Sequence, residues 1–231
     1  RFGDWPIFRV DSDSMQARDA MRELVTEINR GEPGILLGTQ MLTKGHHFPA
    51  VGLVAVLDAD AMLFSADFRG EERMAQLLTQ VAGRAGRAEL RGEVVLQTHY
   101  PDHPALQAML HVDYADQARR MLDKRSASGM PPCGQLVILR TDCNDASYGE
   151  DFLQAVRDGA SGLLPAGVQL IGPLPSPMQR RAGKFRCQLL LLAPDRPAAQ
   201  RGANVLVARA EAGAARHGLK WSVDVDPLDL Y

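Results

Sequence analysis

The chain has 231 residues, 45% of them hydrophobic and 23% charged, with a formal net charge of −2. That is enough apolar material for one large or two modest domains, which excludes a wholly disordered chain. The near-neutral charge excludes a global field for nucleic acid, so any such binding must come from local patches.

Cys133, Cys143 and Cys187 form no C-x-x-C pair. Their scatter argues against a zinc site and suits a reducing cytoplasm. No stretch is long and apolar enough to span a bilayer. The chain opens without Met, on "RFGDWPIFRVDSD", and reads as beginning within a longer protein.

In chain order, "PIFRVD" (6–11) predicts a short strand. A helix follows, with Ala17, Met21, Leu24, Val25 and Ile28 on one stripe, a cap at Asp13 or Ser14 and a stop at Gly31. "GILLGT" (34–39) and "VGLVAVLDAD" (51–60) are strands, the second apolar on both faces as in a covered parallel sheet. "EERMAQLLTQVAG" (71–83) is a helix with Met74, Leu77, Leu78 and Val81 on one stripe, and "GEVVLQT" (92–98) is a strand. The alternation predicts a doubly wound α/β layer. One helix is expected over 104–125, burying Leu106, Met109, Leu110, Met121 and Leu122, before a break at "GMPPCG" (129–134). A domain boundary is placed near 130.

The remainder reads strand (135–142), helix (147–164), strand (168–172), a Pro-rich basic connection (173–186), strand (187–193), helix (197–216) and strand (220–226). That β-α-β-β-α-β order predicts a ferredoxin-like, split-βαβ domain.

Chemistry concentrates in three places. "QVAGRAGR" (80–87) ends a helix, and Gly83 and Gly86 let the backbone approach a partner closely. Arg84 and Arg87 are three apart and can converge on a phosphate, which a planar guanidinium pairs bidentately. Read from residues alone, the pair is equally a solvated basic helix end. "GTQMLTKGHHFPAV" (38–51) sets polar groups between two strands. Thr39 and Lys44 suit a backbone phosphate, although Thr39 can also bond its own backbone. His46 and His47 adjoin and make a poor metal pair on a strand. In "PMQRRAGKFRCQ" (177–188), Arg180, Arg181, Lys184 and Arg186 surround Phe185. Cations there can neutralise phosphates while the ring stacks on a base, or the segment is an ordinary charged hairpin loop. Asp58 and Asp60 share one side of a strand end; Mg²⁺ binding is one reading and ordering the next loop is the preferred one. Phe68 and Arg69 bear on DNA or a lobe interface, or form a plain buried Phe beside an ion pair.

Q-x-x-G-R-x-G-R resembles motif VI of the superfamily 2 helicases, and 38–51 resembles their motif V. The run 57–87, "GEVVLQTHYPDHPAL" (92–106) and "WSVDVDPLDLY" resemble the primosomal protein N′ family of replication-restart helicases over nearly the whole chain. The resemblance implies most of a second RecA-like lobe over 1–103, lacking its first strand and helix, a connecting helix and linker over 104–130, and a ribosomal-protein-like α+β DNA-binding domain over 131–231. It makes Arg87 the arginine finger and Arg84 a second nucleotide contact. Gln80, Gly83 and Gly45 fall at the nucleotide, and Thr39 and Lys44 on the DNA strand. The full-length activity would be an ATP-dependent 3′–5′ helicase in the cytoplasm, at the nucleoid, acting on single-stranded and forked DNA with primosome proteins and single-strand-binding protein.

No G-x-x-x-x-G-K-[ST] occurs, and no D-E-x-H acid is evident. ATP and Mg²⁺ would therefore be bound mainly by another lobe, and the family's zinc by residues upstream. The chain alone is expected to be inactive. The competing reading is a DNA-binding or assembly module without catalysis.

Overall fold

A computed structural model describes residues 5–10, 24–28, 30, 32–38, 51–82, 92–213 and 219–231. The chain divides into two compact units, Arg1–Ser65 with Gly70–Tyr114, and Ala66–Arg69 with Ala115–Tyr231. It is a mixed α/β protein with parallel sheets in the first unit and an antiparallel sheet in the second.

In the first unit, β1 (Ile7–Val10) pairs in parallel with β2 (Ile35–Gly38), and β3 (Leu53–Val56) with β4 (Glu93–Leu96). Residues 24–28 are helical and are labelled α1. The predicted strand over 51–60 stops early because Asp58 turns left-handed (φ 51°) and starts a five-residue helix, α2 (Ala59–Leu63). Periodicity cannot reveal so short a helix. Helix α3 (Gly70–Ala82) buries Met74, Ala75, Leu78 and Val81, the face its 3.6-residue stripe predicts. Val56, Ala59, Met74, Leu78 and Leu106 make the core of this unit.

The single helix expected over 104–125 is two, α4 (Pro104–His111) and α5 (Tyr114–Ser128). Pro104 stands in the first turn, His103 caps Ala105 N–H through Nδ1, and extended Val112 ends α4. The break changes the buried face. Leu106 and Met121 are buried, but Leu110 and Leu122 are exposed.

The second unit contains β5 (Gln135–Cys143), α6 (Ala146–Ala160), β6 (Gln169–Arg181), β7 (Lys184–Ala193), α7 (Arg196–Gly213) and β8 (Lys220–Val225). The spatial order is β6-β7-β5-β8, every pair antiparallel. Val137 and Leu139 of β5 and Leu189 and Leu191 of β7 join Phe152, Leu153, Val156 and Leu206 of the helices in the main core. The alternate residues Leu136, Ile138, Leu190 and Leu192 build a second cluster with Leu230 on the other face. Burial on both faces explains why "CQLLLLA" is a continuous apolar run. Helix α6 comes close to the sheet at Gly149, where a Cβ would lie 2.8 Å from Cys143 Sγ and 2.9 Å from Thr141 Oγ1.

The Pro-rich connection expected over 173–186 is instead strand and hairpin. Pro173, Pro175 and Pro177 lie in β6, which can lack their N–H groups because it is an edge strand. Irregular register between Ile171 and Leu174, and between Pro175 and Arg180, accommodates them. Arg181 pairs with Lys184 across a two-residue turn, Ala182 (φ 49°) and Gly183 (φ 79°), the positive-φ pair that a tight hairpin needs.

Candidate nucleic-acid interface

The hairpin tip gathers the basic residues singled out in the sequence, but gives them different surroundings. Arg180 and Arg181 are exposed, Lys184 and Phe185 are half-buried, and Arg186 is buried. The Arg180 guanidinium lies 5.1 Å from the Phe185 ring centroid, so one face of that ring is taken and the cation is held over it. Lys184 Nζ donates to Asn144 Oδ1 at 2.5 Å. The hairpin therefore fixes its charges through an aromatic ring and a neighbouring loop, which reduces the ordering cost of binding a phosphate.

Arg186 is placed elsewhere. It sits directly opposite Asp142 in the β5–β7 register, with Nε 3.4 Å from Asp142 Oδ1. Its side chain is 9% exposed and that of Asp142 is 44% exposed. Its burial sets it apart from the exposed cations. The asymmetry sets an expected result. Asp142→Ala strands a buried guanidinium and costs about 2–4 kcal/mol in urea unfolding, whereas Arg186→Met leaves a carboxylate that water reaches and costs under about 1 kcal/mol. Equal losses would contradict the placement.

In the first unit, Asp60 Oδ1 accepts from Thr98 Oγ1 at 2.5 Å. Asp60 Oδ2 accepts from the His99 N–H and meets His99 Nδ1, both at 2.9 Å. Asp60 thus ties the start of α2 to the loop after β4, which is not the following loop that the sequence reading preferred for it. The Thr98 hydroxyl first, then the His99 amide, hold its carboxyl below the usual carboxylate value. A lowered folded pKa means that this contribution is present above the unfolded value and is lost as pH falls through the folded one. Asp60→Asn should therefore flatten the acid limb of the unfolding curve below about pH 4. An unchanged limb would count against the loop tie. Asp58 is exposed; among the described residues no group of three or more His, Cys, Asp or Glu could hold a metal.

Gln80 is exposed on the last turn of α3. Thr39, Lys44, Gly45, His46, His47, Gly83, Arg84 and Arg87 lie outside the described residues. Sequence reasoning missed Asn144 and Asp142, the residues that separate Lys184 from Arg186 in role. Asp142 faces Arg186 across the β5–β7 register, and Asn144 meets Lys184 from the loop just after β5; both contacts are long-range in sequence. Among the described residues no helix is long and apolar enough to cross a membrane.

A unit with parallel strand pairs and a unit with an antiparallel sheet and a basic hairpin define a two-unit α/β protein. Residues 126–228 match the family model described as Primosomal protein N C-terminal domain. The chain is 41% identical to the Replication restart protein PriA of Haemophilus influenzae over 230 residues, 99% of this chain and 31% of that protein. It is 40% identical to that of Synechocystis sp. over 194 residues (84% and 23%) and 34% identical to that of Treponema pallidum over 235 residues (99% and 34%). The chain thus matches a C-terminal portion of the PriA replication restart proteins. It spans about a third or less of the length of these curated relatives.

Proposed function

We propose that this chain is the DNA-gripping C-terminal part of an ATP-dependent 3′–5′ helicase that acts at stalled or branched replication forks and starts primosome assembly. The observation that carries the reading is the hairpin. Arg180 and Arg181 are exposed beside Lys184 and Phe185, in the domain that matches the primosomal protein N family. The β-α-β-β-α-β order and the β6-β7-β5-β8 arrangement of the second unit support a ferredoxin-like reading of it, and the parallel strand pairs of the first unit support reading it as part of a RecA-like lobe.

In this reading the cations neutralise phosphates of a single or forked strand while Phe185 offers its remaining face to a base. Thr39 and Lys44 grip the strand from the first unit. Gln80, Gly83 and Gly45 border the nucleotide, and Arg84 and Arg87 stabilise charge on the transferred phosphoryl group. ATP, when bound, supplies the phosphoryl transfer that drives stepping. Its phosphates and Mg²⁺ are held mainly by residues other than those of this chain, as is the family's zinc. Single-strand-binding protein and primosome proteins are the partners in a cytoplasmic, nucleoid setting.

Fluorescence anisotropy with single-stranded and forked oligonucleotides, run beside an ATP hydrolysis assay, tests this. The chain should bind DNA in a salt-dependent manner without DNA-stimulated hydrolysis. Absence of binding at low salt would overturn the DNA role, and DNA-stimulated hydrolysis by this chain alone would overturn the assignment of the phosphate site elsewhere.

A further inference from the structure

The four-stranded sheet of the second unit has two edges, and they are built differently. Edge strand β6 carries Pro173, Pro175 and Pro177 and breaks register twice, which blunts it against further pairing. The other edge, β8, reads KWSVDV, with no proline, no glycine and an unbroken register against β5. Among the described residues no strand lies on its outer side. An edge left in that state is a template for another strand.

The register decides which groups β8 offers. The Asp226 N–H bonds the Leu136 carbonyl at 3.0 Å, one step beyond the Val225–Val137 pair. Hydrogen bonding alternates along an antiparallel pair. Ser222 and Asp224 therefore turn their N–H and C=O groups to β5, and Trp221, Val223 and Val225 turn theirs outward. Side chains alternate by face as well. Trp221 and Val223 pack on the main core, while Lys220, Ser222 and Asp224 stand on the opposite face. Lys220 and Ser222 are exposed. Asp224 accepts from Arg140 through Oδ2 and still keeps 45% of its side chain exposed.

We propose that β8 pairs with β8 of a second copy of this chain, antiparallel about a two-fold axis at Ser222. The outward backbone groups of Trp221 then meet those of Val223 in the copy, and the reverse. Lys220 stands opposite Asp224 twice and Trp221 opposite Val223 twice, the opposite-charge and aromatic–β-branched pairs that stabilise sheets. Moving the axis to Val223 keeps the backbone match but leaves neither charge an opposite partner on β8. Moving it by half a residue sets outward groups against groups already bonded to β5. The interface is isologous and closes on itself, and the joined sheet ends only on the blunted β6 strands. The pairing depends on neither DNA nor nucleotide, so its failure would leave the proposed function standing.

Sedimentation equilibrium on the whole chain, from micromolar to near-millimolar concentration, tests the pairing. The average mass should rise from 25.2 kDa toward twice that value. Lys220→Glu, at an exposed position, puts like charges opposite each other at two places and should weaken association about tenfold. Ser222→Cys checks the register. At the axis the two side chains form the closer kind of cross-strand pair, within disulfide reach. In a Cys133→Ser background, which removes the exposed native thiol, oxidised glutathione should link two copies. It takes up the two thiol hydrogens with their electrons and leaves as two reduced molecules. Lys220→Cys in the same background places the thiols far apart on either side of the axis and should not link. A mass of one chain throughout the series would overturn the proposal and leave the edge to a different partner. So would a dimer that Lys220→Glu leaves unchanged, or one that Ser222→Cys does not link.

Discussion

Replacing Arg180, Arg181 and Lys184 together by Ala should weaken single-stranded DNA binding about 100-fold near 0.1 M salt, whatever the sequence. Each phosphate neutralised on a single strand contributes about 0.7 to the slope of log K against log salt. Three cations thus account for a slope change of about 2, and about fivefold in affinity apiece at 0.1 M. These residues stand at the exposed end of the β6–β7 hairpin, clear of the core, so the variant should fold normally. Arg186→Met is the matched control. Its guanidinium is buried against Asp142, so its loss should leave the slope unchanged within about half a unit. An unaltered slope in the triple variant, measured by anisotropy from 50 to 300 mM salt (roughly the range where counterion release is readable), would remove the hairpin from the DNA-binding surface.

Leu191→Ala should be among the most damaging single changes to stability. Leu191 is fully buried on β7, an inner strand of the four-stranded sheet, with Val137 opposite it on β5 and Leu170 on β6. Its Cδ1 fills the space over Gly202 of α7, where even a Cβ would approach to 2.7 Å. That close fit leaves no neighbour able to collapse into the void. Lost transfer energy and the residual cavity together cost about 3–5 kcal/mol. In urea that moves the midpoint of the second unit's transition by about 2 M, for a slope of about 2 kcal/mol per M. A shift below about 0.5 M would mean that helix and strand are less closely packed than the structure shows.

Much of the fold is legible in the sequence where periodicity acts alone. The Met74, Leu77, Leu78 and Val81 stripe marks α3, and the run from Cys187 to Ala193 marks a strand, whereas the strand expected to be covered on both faces, over 51–60, exposes Leu53 and Leu57. Legibility fails where tertiary context overrides local chemistry. Proline argues against a strand, yet β6 carries three, because an edge strand does not need every N–H. Helix α4 ends at Val112 although the apolar pattern continues, and Leu110 and Leu122 consequently face solvent. The site divides in the same way. Residue type and spacing point to the basic hairpin, but they cannot separate Lys184, tied to Asn144, from Arg186, buried beside Asp142. That difference is made by the antiparallel register, a long-range property. The motif residues Thr39, Lys44, Arg84 and Arg87 are legible only as a pattern, since they lie outside the described residues.

Photocrosslinking of the chain to a single-stranded oligonucleotide carrying 5-bromouracil, with the attached peptide identified by mass spectrometry, tests the DNA-gripping role most directly. A base stacked on Phe185 beside Arg180 should put the crosslink within 178–186, and excess unlabelled single strand should compete it away. Crosslinks confined to other segments, or none under conditions where the oligonucleotide is bound, would contradict the account.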